Sequence, residues 1–178
     1  MKPTSVRPAY AGLRALERGL GQAKIMVALL GAGGQGLAER RRIAAVLDRS
    51  GIAAIVPEDE LPDDMAPSLA EKALFSRNEV DLVFVNVESW GSAAEFAQFH
   101  ENRRIAPKLR VLVPPEHHPL HGGDRGYLTD LYLSHLTEFG HVYAIDGRAR
   151  VRLPSALDVI GLLSARQRQV KALGETTS

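Results

Sequence analysis

The sequence predicts a doubly wound α/β domain of Rossmann-like or flavodoxin-like type, a parallel five-stranded sheet with helices on both faces. Three observations carry this expectation. Short apolar runs recur along the chain at 24–30, 52–56, 81–87, 109–113 and 141–145. The runs are apolar at successive positions, as strands covered on both faces are. Helix-length stretches separate them, the order that a parallel sheet with crossover helices requires.

Taken in order, residues 1–22 read as a helical extension, with 11–20 helix-like, ahead of the first strand at 24–30. A glycine turn at 31–36 leads into a helix over 37–50. The second strand, 52–56, ends on an acidic loop, 57–67, and a helix follows over 67–77. The third strand, 81–87, turns through Glu88, Ser89, Trp90 and Gly91 into a helix over 92–103. After the fourth strand, 109–113, the stretch 114–124 is rich in Pro, His and Gly and reads as a loop, a candidate lid. A helix over 126–139, a fifth strand at 141–145 and a helix over 155–173 complete the domain, and 174–178 is expected to fray. There is no internal repeat.

At 178 residues, one domain with one core is expected. The chain is 45% apolar and 24% charged, and its 22 Lys and Arg nearly balance its 21 Asp and Glu, for a net charge of +1. Short basic clusters, 39–42, 148–152 and 166–171, read as solvated parts of helices or loops rather than the stripe of a nucleic-acid binder. The absence of cysteine excludes disulfides, thiolate catalysis and cysteine-ligated zinc. No apolar run approaches the ~20 residues of a membrane span, and the first eight residues lack a hydrophobic signal core. A soluble, cytoplasmic protein is expected.

Ligands of an open parallel sheet bind beyond the carboxyl ends of its strands, where strand order reverses. The loop after the first strand places Gly31, Gly33 and Gly36 in G-x-G-x-x-G spacing, with Gly34 between, directly ahead of a helix. Such glycines allow a tight turn and close backbone approach to a phosphate at a helix N-terminus. Glu58 and Asp59 lie about where an acid would meet a ribose hydroxyl. The loop reads either as a glycine turn needed for chain direction or, as the preferred reading, as a cradle for part of a nucleotide or nucleoside that is the substrate; in an oxidoreductase reading it would hold NAD(P). Asn86 ends the third strand and points towards the same crevice.

The third loop leads to Ser92-Ala93-Ala94-Glu95, which fits the S-x-x-E capping box. The same glutamate reads as a reagent, because Gly91 and the alanines leave room for a ligand and the helix dipole favours an ionised carboxylate. Both readings stay open.

"PEDE" at 57–60, the strand beginning Asp81-Leu82-Val83-Phe84-Val85 and "ESWGSAAEFAQF" at 88–99 resemble the nucleoside 2-deoxyribosyltransferase-like superfamily, and most of all its retron-associated, antiphage effector branch. The resemblance spans 24–145, and more distantly the layout is similar to TIR and SLOG domains. It implies that Glu95 attacks the anomeric carbon of a nucleoside, or of a nucleotide such as NAD, and displaces the base. Gly91 and Ser92 would shape the pocket beside the sugar, and residues 31–36 would supply backbone amides. Glu88 or Glu58 would be the second catalytic group. A homo-oligomer is implied as well, since these transferases complete their sites across subunits. Neither a metal nor a cofactor is expected. The chain departs from the family at Ser89, where the transferases carry an aspartate, and at Trp90, which replaces a proline and offers a stacking face. A binding or sensor module on the same scaffold, with Glu95 as a cap only, is the alternative.

The histidines at 117, 118 and 121, near Glu116 and Asp124, do not reproduce a metal-ligand spacing. Acidic residues at 58–64 read as a solvated loop, and Tyr127, Tyr132 and Phe139 as core positions of a helix.

Overall fold

The computed structural model describes Arg14 and residues 17–62, 64–122, 125–145 and 153–175. Strands β1 (Met26–Leu30), β2 (Ala53–Ile55), β3 (Leu82–Asn86), β4 (Leu109–Val113) and β5 (Val142–Ala144) form one sheet in the order β2-β1-β3-β4-β5. Every neighbouring pair is parallel. The helices are α1 (Gln35–Arg49), α2 (Pro57–Glu60), α3 (Pro67–Phe75), α4 (Trp90–His100), α5 (Tyr127–Phe139) and α6 (Ala156–Glu175). The doubly wound fold is thus present. Among the described residues, no helix is long and apolar enough to cross a membrane.

Strand periodicity builds two cores. Ala28 and Leu30 of β1, Val83 and Val85 of β3, and Leu109, Val111 and Val113 of β4 face one layer, where Phe75, Phe96, Phe99 and Tyr132 of α3, α4 and α5 pack. The alternate residues, Val27, Leu29, Leu82, Phe84 and Leu112, face Ile43 and Leu47 of α1 and Val159 and Ile160 of α6. Burying each of these larger side chains contributes about 1.5–3 kcal/mol. The sheet direction changes at β1, which sends its crossover to β2 on one side and pairs with β3 on the other. The switch point therefore lies between the ends of β1 and β3.

Several expectations are corrected. The acidic loop contains α2, whose Pro57 is buried. Tyr132 is core at 1% exposure, whereas Tyr127 is 81% exposed at the first position of α5. The 114–124 loop is not free to swing at His118, which is 4% exposed. Its Nε2 lies 3.2 Å from the Val142 carbonyl, and its Nδ1 accepts from the Leu120 amide at 3.2 Å. The basic clusters are not simply solvated. Arg168 donates to the carbonyls of Ala23 and Ser50, and Lys171 pairs with Asp81. Residues 148–152, Asp63, Asp124 and 176–178 lie outside the described residues, as does most of the expected extension; residues 17–22 of it are helical.

Candidate functional site

At the switch point the chain leaves β1 through Gly31 and enters α1 at Gly34, whose φ of 58° is the left-handed conformation that glycine tolerates. A Cβ on Gly31 would stand 3.2 Å from the Asn86 carbonyl oxygen and 3.6 Å from Arg40 Nε, so a side chain there would push β1 and β3 apart. Gly33 and Gly34 are exposed and Gly36 is half-buried. α1 has neither a side-chain cap nor an acid in its first turn.

A crevice of about 380 Å³ opens beside this turn. Leu29, Phe84, Leu112, Ile43 and Ile160 line it as apolar walls, and Gly36, Asn86 and Glu88 are among its polar lining residues. Asn86 Nδ2 donates to Glu88 Oε1 at 2.8 Å, while Asn86 Oδ1 is buried without a hydrogen-bond partner among the described residues. Glu88 Oε2 stands 3.4 Å from where a Cβ on Gly36 would be, so the carboxylate leans over the first turn of α1.

Arg40, expected in solvent, is 4% exposed. Its guanidinium donates to both carboxylate oxygens of Glu58, at 2.8 and 2.7 Å, and to the carbonyls of Leu29, Gly31 and Ala32. The side chain thus ties the end of β1 to α2. Burial works to raise the Glu58 carboxyl, but the Arg40 hydrogen bonds hold it below the ordinary range, and Glu58 stays ionised. The neighbouring Asp59 pairs with Arg41 on the surface.

Two further acids face this pair without a cation of their own. Glu71 of α3 is 8% exposed, and burial, aided by the Glu58 charge, pushes its carboxyl up to about 7. Glu95 of α4 is half-buried and is also pushed up to about 7, first by burial and then by the charges of Glu71 and Glu58, with Arg40 opposing. Its Oε2 is buried and accepts no hydrogen bond from any described residue. Two acids beside one already committed arginine hold their protons because burial disfavours a second and third negative charge.

The cap reading of Glu95 is overturned. α4 begins at Trp90, with Ser89 as its N-cap. The capping box joins Ser89 to Ser92: the Ser92 amide donates to Ser89 Oγ at 3.2 Å and the Ser89 amide to Ser92 Oγ at 3.0 Å. Glu95 therefore lies in the second turn, and its charge is disfavoured by burial rather than favoured by the helix dipole. Gly91 is exposed and lies inside the helix, and Trp90 is 91% exposed.

The predicted residues thus fall into two groups joined by Arg40. Gly36, Asn86 and Glu88 line the crevice on the α1 and α6 side. Glu95 belongs to a carboxylate chamber with Glu58 and Glu71, on the side of α2, α3 and α4. Arg40 and Glu71 were missed, yet each falls on its helix's apolar stripe, Arg40 with Ile43 and Leu47, Glu71 with Leu74 and Phe75, where a charge is a signal in itself. Among the described residues, no group of three His, Asp or Glu is arranged to hold a metal ion. No model of a known protein family matches the chain, and no curated protein does.

Proposed function

We propose that this domain acts on the N-glycosidic bond of a nucleoside or nucleotide, with Glu95 as nucleophile and Glu71 as its proton-carrying partner. The observation that carries the reading is the Glu95 carboxylate, half-buried, with an oxygen that no described residue hydrogen-bonds, beside a second acid of equally raised pKa. Near neutral pH such a pair has one carboxyl ionised while the other carries a proton. A Glu95 oxygen bonds to the anomeric carbon as the bond to the base breaks, the electron pair leaves with the base nitrogen, and Glu71 returns a proton to it. Water or a second base then gives its proton to the Glu71 carboxylate and attacks the same carbon, and the bond to Glu95 breaks to free it. The resemblance of residues 88–99 to deoxyribosyltransferases supports the same assignment. Glu71 suits the second role better than Glu88 or Glu58, since Glu88 is exposed on the crevice and Glu58 is held ionised by Arg40.

The anomeric carbon would sit at Glu95, and the rest of the ligand would reach past the ends of β1 and β3 into the crevice, with hydroxyls donating to Glu88. Its carboxylate over the first turn of α1 disfavours a pyrophosphate there, which argues against the NAD(P) oxidoreductase. The test is chromatographic: nucleosides, deoxynucleosides, nucleotides and NAD, with and without an acceptor base. Released or exchanged base is expected, falling by more than about 10³-fold in Glu95→Gln. Undiminished turnover in that variant sinks the assignment.

A non-catalytic binding module is the second reading, favoured by one observation: Glu95 is not among the residues that line the crevice. Under it, ligand binds to the protein and to Glu95→Gln alike, and neither releases base.

Self-association belongs to the transferase version. Met65, Leu69, Trp90, Leu120 and Tyr127 are 50–91% exposed at or near the starts of α3, α4 and α5, forming an apolar rim on the same end of the sheet as Glu95. Light scattering should report a dimer or larger species, and a monomer counts against transfer across subunits.

A further inference from the structure

Far from that end of the sheet, the second residue of β4 breaks the apolar pattern of its strand. Arg110 lies beside Phe84 of β3 in register, and on the same face as Leu112. It is half-buried. Both hydrogen bonds of its side chain leave from Nη1, to the carbonyls of Pro107 at 3.0 Å and Leu109 at 3.1 Å. Among the described residues it makes no ion pair, and the group whose charge bears on it is the Tyr143 hydroxyl. Arginine does not shed its proton to escape this situation.

Two side chains at β5 complete the surroundings. His141 Nδ1 lies 2.9 Å from the Tyr143 hydroxyl, their rings near parallel. If Tyr143 donates, His141 keeps an N–H on Nε2; if His141 donates from Nδ1, the Tyr143 hydroxyl keeps its own proton to give. Either arrangement leaves one free donor near a guanidinium whose Nε and Nη2 have no hydrogen-bond partner among the described residues. The Arg110 charge adds to the effect of burial on histidines at both faces of the sheet. Burial first, then Arg110, lower His141 to about 4. His135, on the opposite face, is lowered to about 4 by burial, with His100, His141 and Arg110 adding to the effect against its bond to Leu109.

We propose that Arg110, His141 and Tyr143 form a binding site for a small oxyanion, phosphate or carboxylate, on the β4–β5 flank and separate from the Glu95 chamber. The guanidinium edge supplies two parallel donors and the charge, and the Tyr143–His141 pair supplies a third donor. The proposal does not rest on the glycosidic reading.

The test follows the imidazole resonances of His141 by NMR during titration with inorganic phosphate and, separately, with acetate. Saturable binding should raise the His141 pKa by about one unit or more, as an opposite charge at contact distance does. Saturation with phosphate alone assigns the site to phosphoryl groups, and with both to oxyanions in general. Tyr143→Phe, which keeps the ring, should weaken binding about fivefold, the worth of one hydrogen bond. Arg110→Met, which keeps the apolar stem, should abolish saturation while His141 still titrates. Absence of saturation with either anion in the unmodified protein overturns the proposal, as does an unchanged response in Arg110→Met.

Discussion

The carboxylate chamber and the β4–β5 flank are mirror images in charge. In the chamber Glu71 and Glu95 lack a cation, because Arg40 is committed to Glu58. On the flank Arg110 has no carboxylate partner among the described residues. The consequences differ because the chemistry of the two groups differs. A carboxylate taken out of water becomes neutral by holding its proton, so these buried acids carry little electrostatic cost and can give that proton away. A guanidinium has no such escape, so it remains partly wet or takes up a counter-charge. Leftover acid therefore indicates reactivity, and leftover arginine indicates binding.

The comparison breaks most visibly at Arg40. Arg40→Met leaves Glu58 without its partner and removes the donor to three carbonyls of the β1 end, which should cost about 2–4 kcal/mol of stability. Denaturant midpoints measure it. Since the Arg40 charge lowers both Glu71 and Glu95, the same variant should move their titrations upward, and any base-release activity should require a higher pH. A loss below about 0.5 kcal/mol would show that solvent replaces Arg40 and that the chamber is wet.

A smaller effect sharpens the contrast. Glu71 binds its proton more tightly folded, at about 7, than at its ordinary 4.5. Raising the pH through that window withdraws a proton that the folded state prefers to keep, so the folded protein loses stability between about 4.5 and 7 and recovers none above it. Glu71→Gln removes this sensitivity. It should be close to neutral at pH 4 and stabilising by roughly 1–2 kcal/mol at pH 8. Equal stability of the variant and the parent at pH 8 would mean that Glu71 is ionised and solvated in the fold.

Much of this was readable from the chain. Five apolar runs and the helices between them gave the architecture, and β4 matched its expected bounds, 109–113, because its run is short, rich in Leu and Val and apolar at every position but Arg110. Element ends were harder. Ser89 and Ser92 are both competent caps, and the pattern S-x-x-E at 92–95 competed with a serine pair at 89 and 92 that closes its box by two reciprocal bonds. Nothing in a linear pattern distinguishes them once the third position is also a hydroxyl. The burial of Arg40 and Glu71 was encoded in helical spacing but hidden by the habit of assigning charges to solvent. What the chain could not disclose is which side of the sheet edge each loop serves. That depends on strand order, and it separated Glu88 from Glu95 although the two are seven positions apart.

Strand order also governs how the molecule comes into being. β1 sits between β2 and β3, and its start is locked to the start of β3 by a reciprocal pair: the Met26 amide donates to Asp81 Oδ2 at 2.9 Å, and the Asp81 amide to the Met26 carbonyl at 2.8 Å. More than 50 residues separate the two partners, so this closure is among the later and slower steps of folding. During synthesis the chain up to residue 80 leaves the ribosome with one backbone edge of β1 unpaired and open to any other strand. A nascent chain stalled before β3 is therefore an aggregation hazard, and one carrying β3 can cover that edge itself.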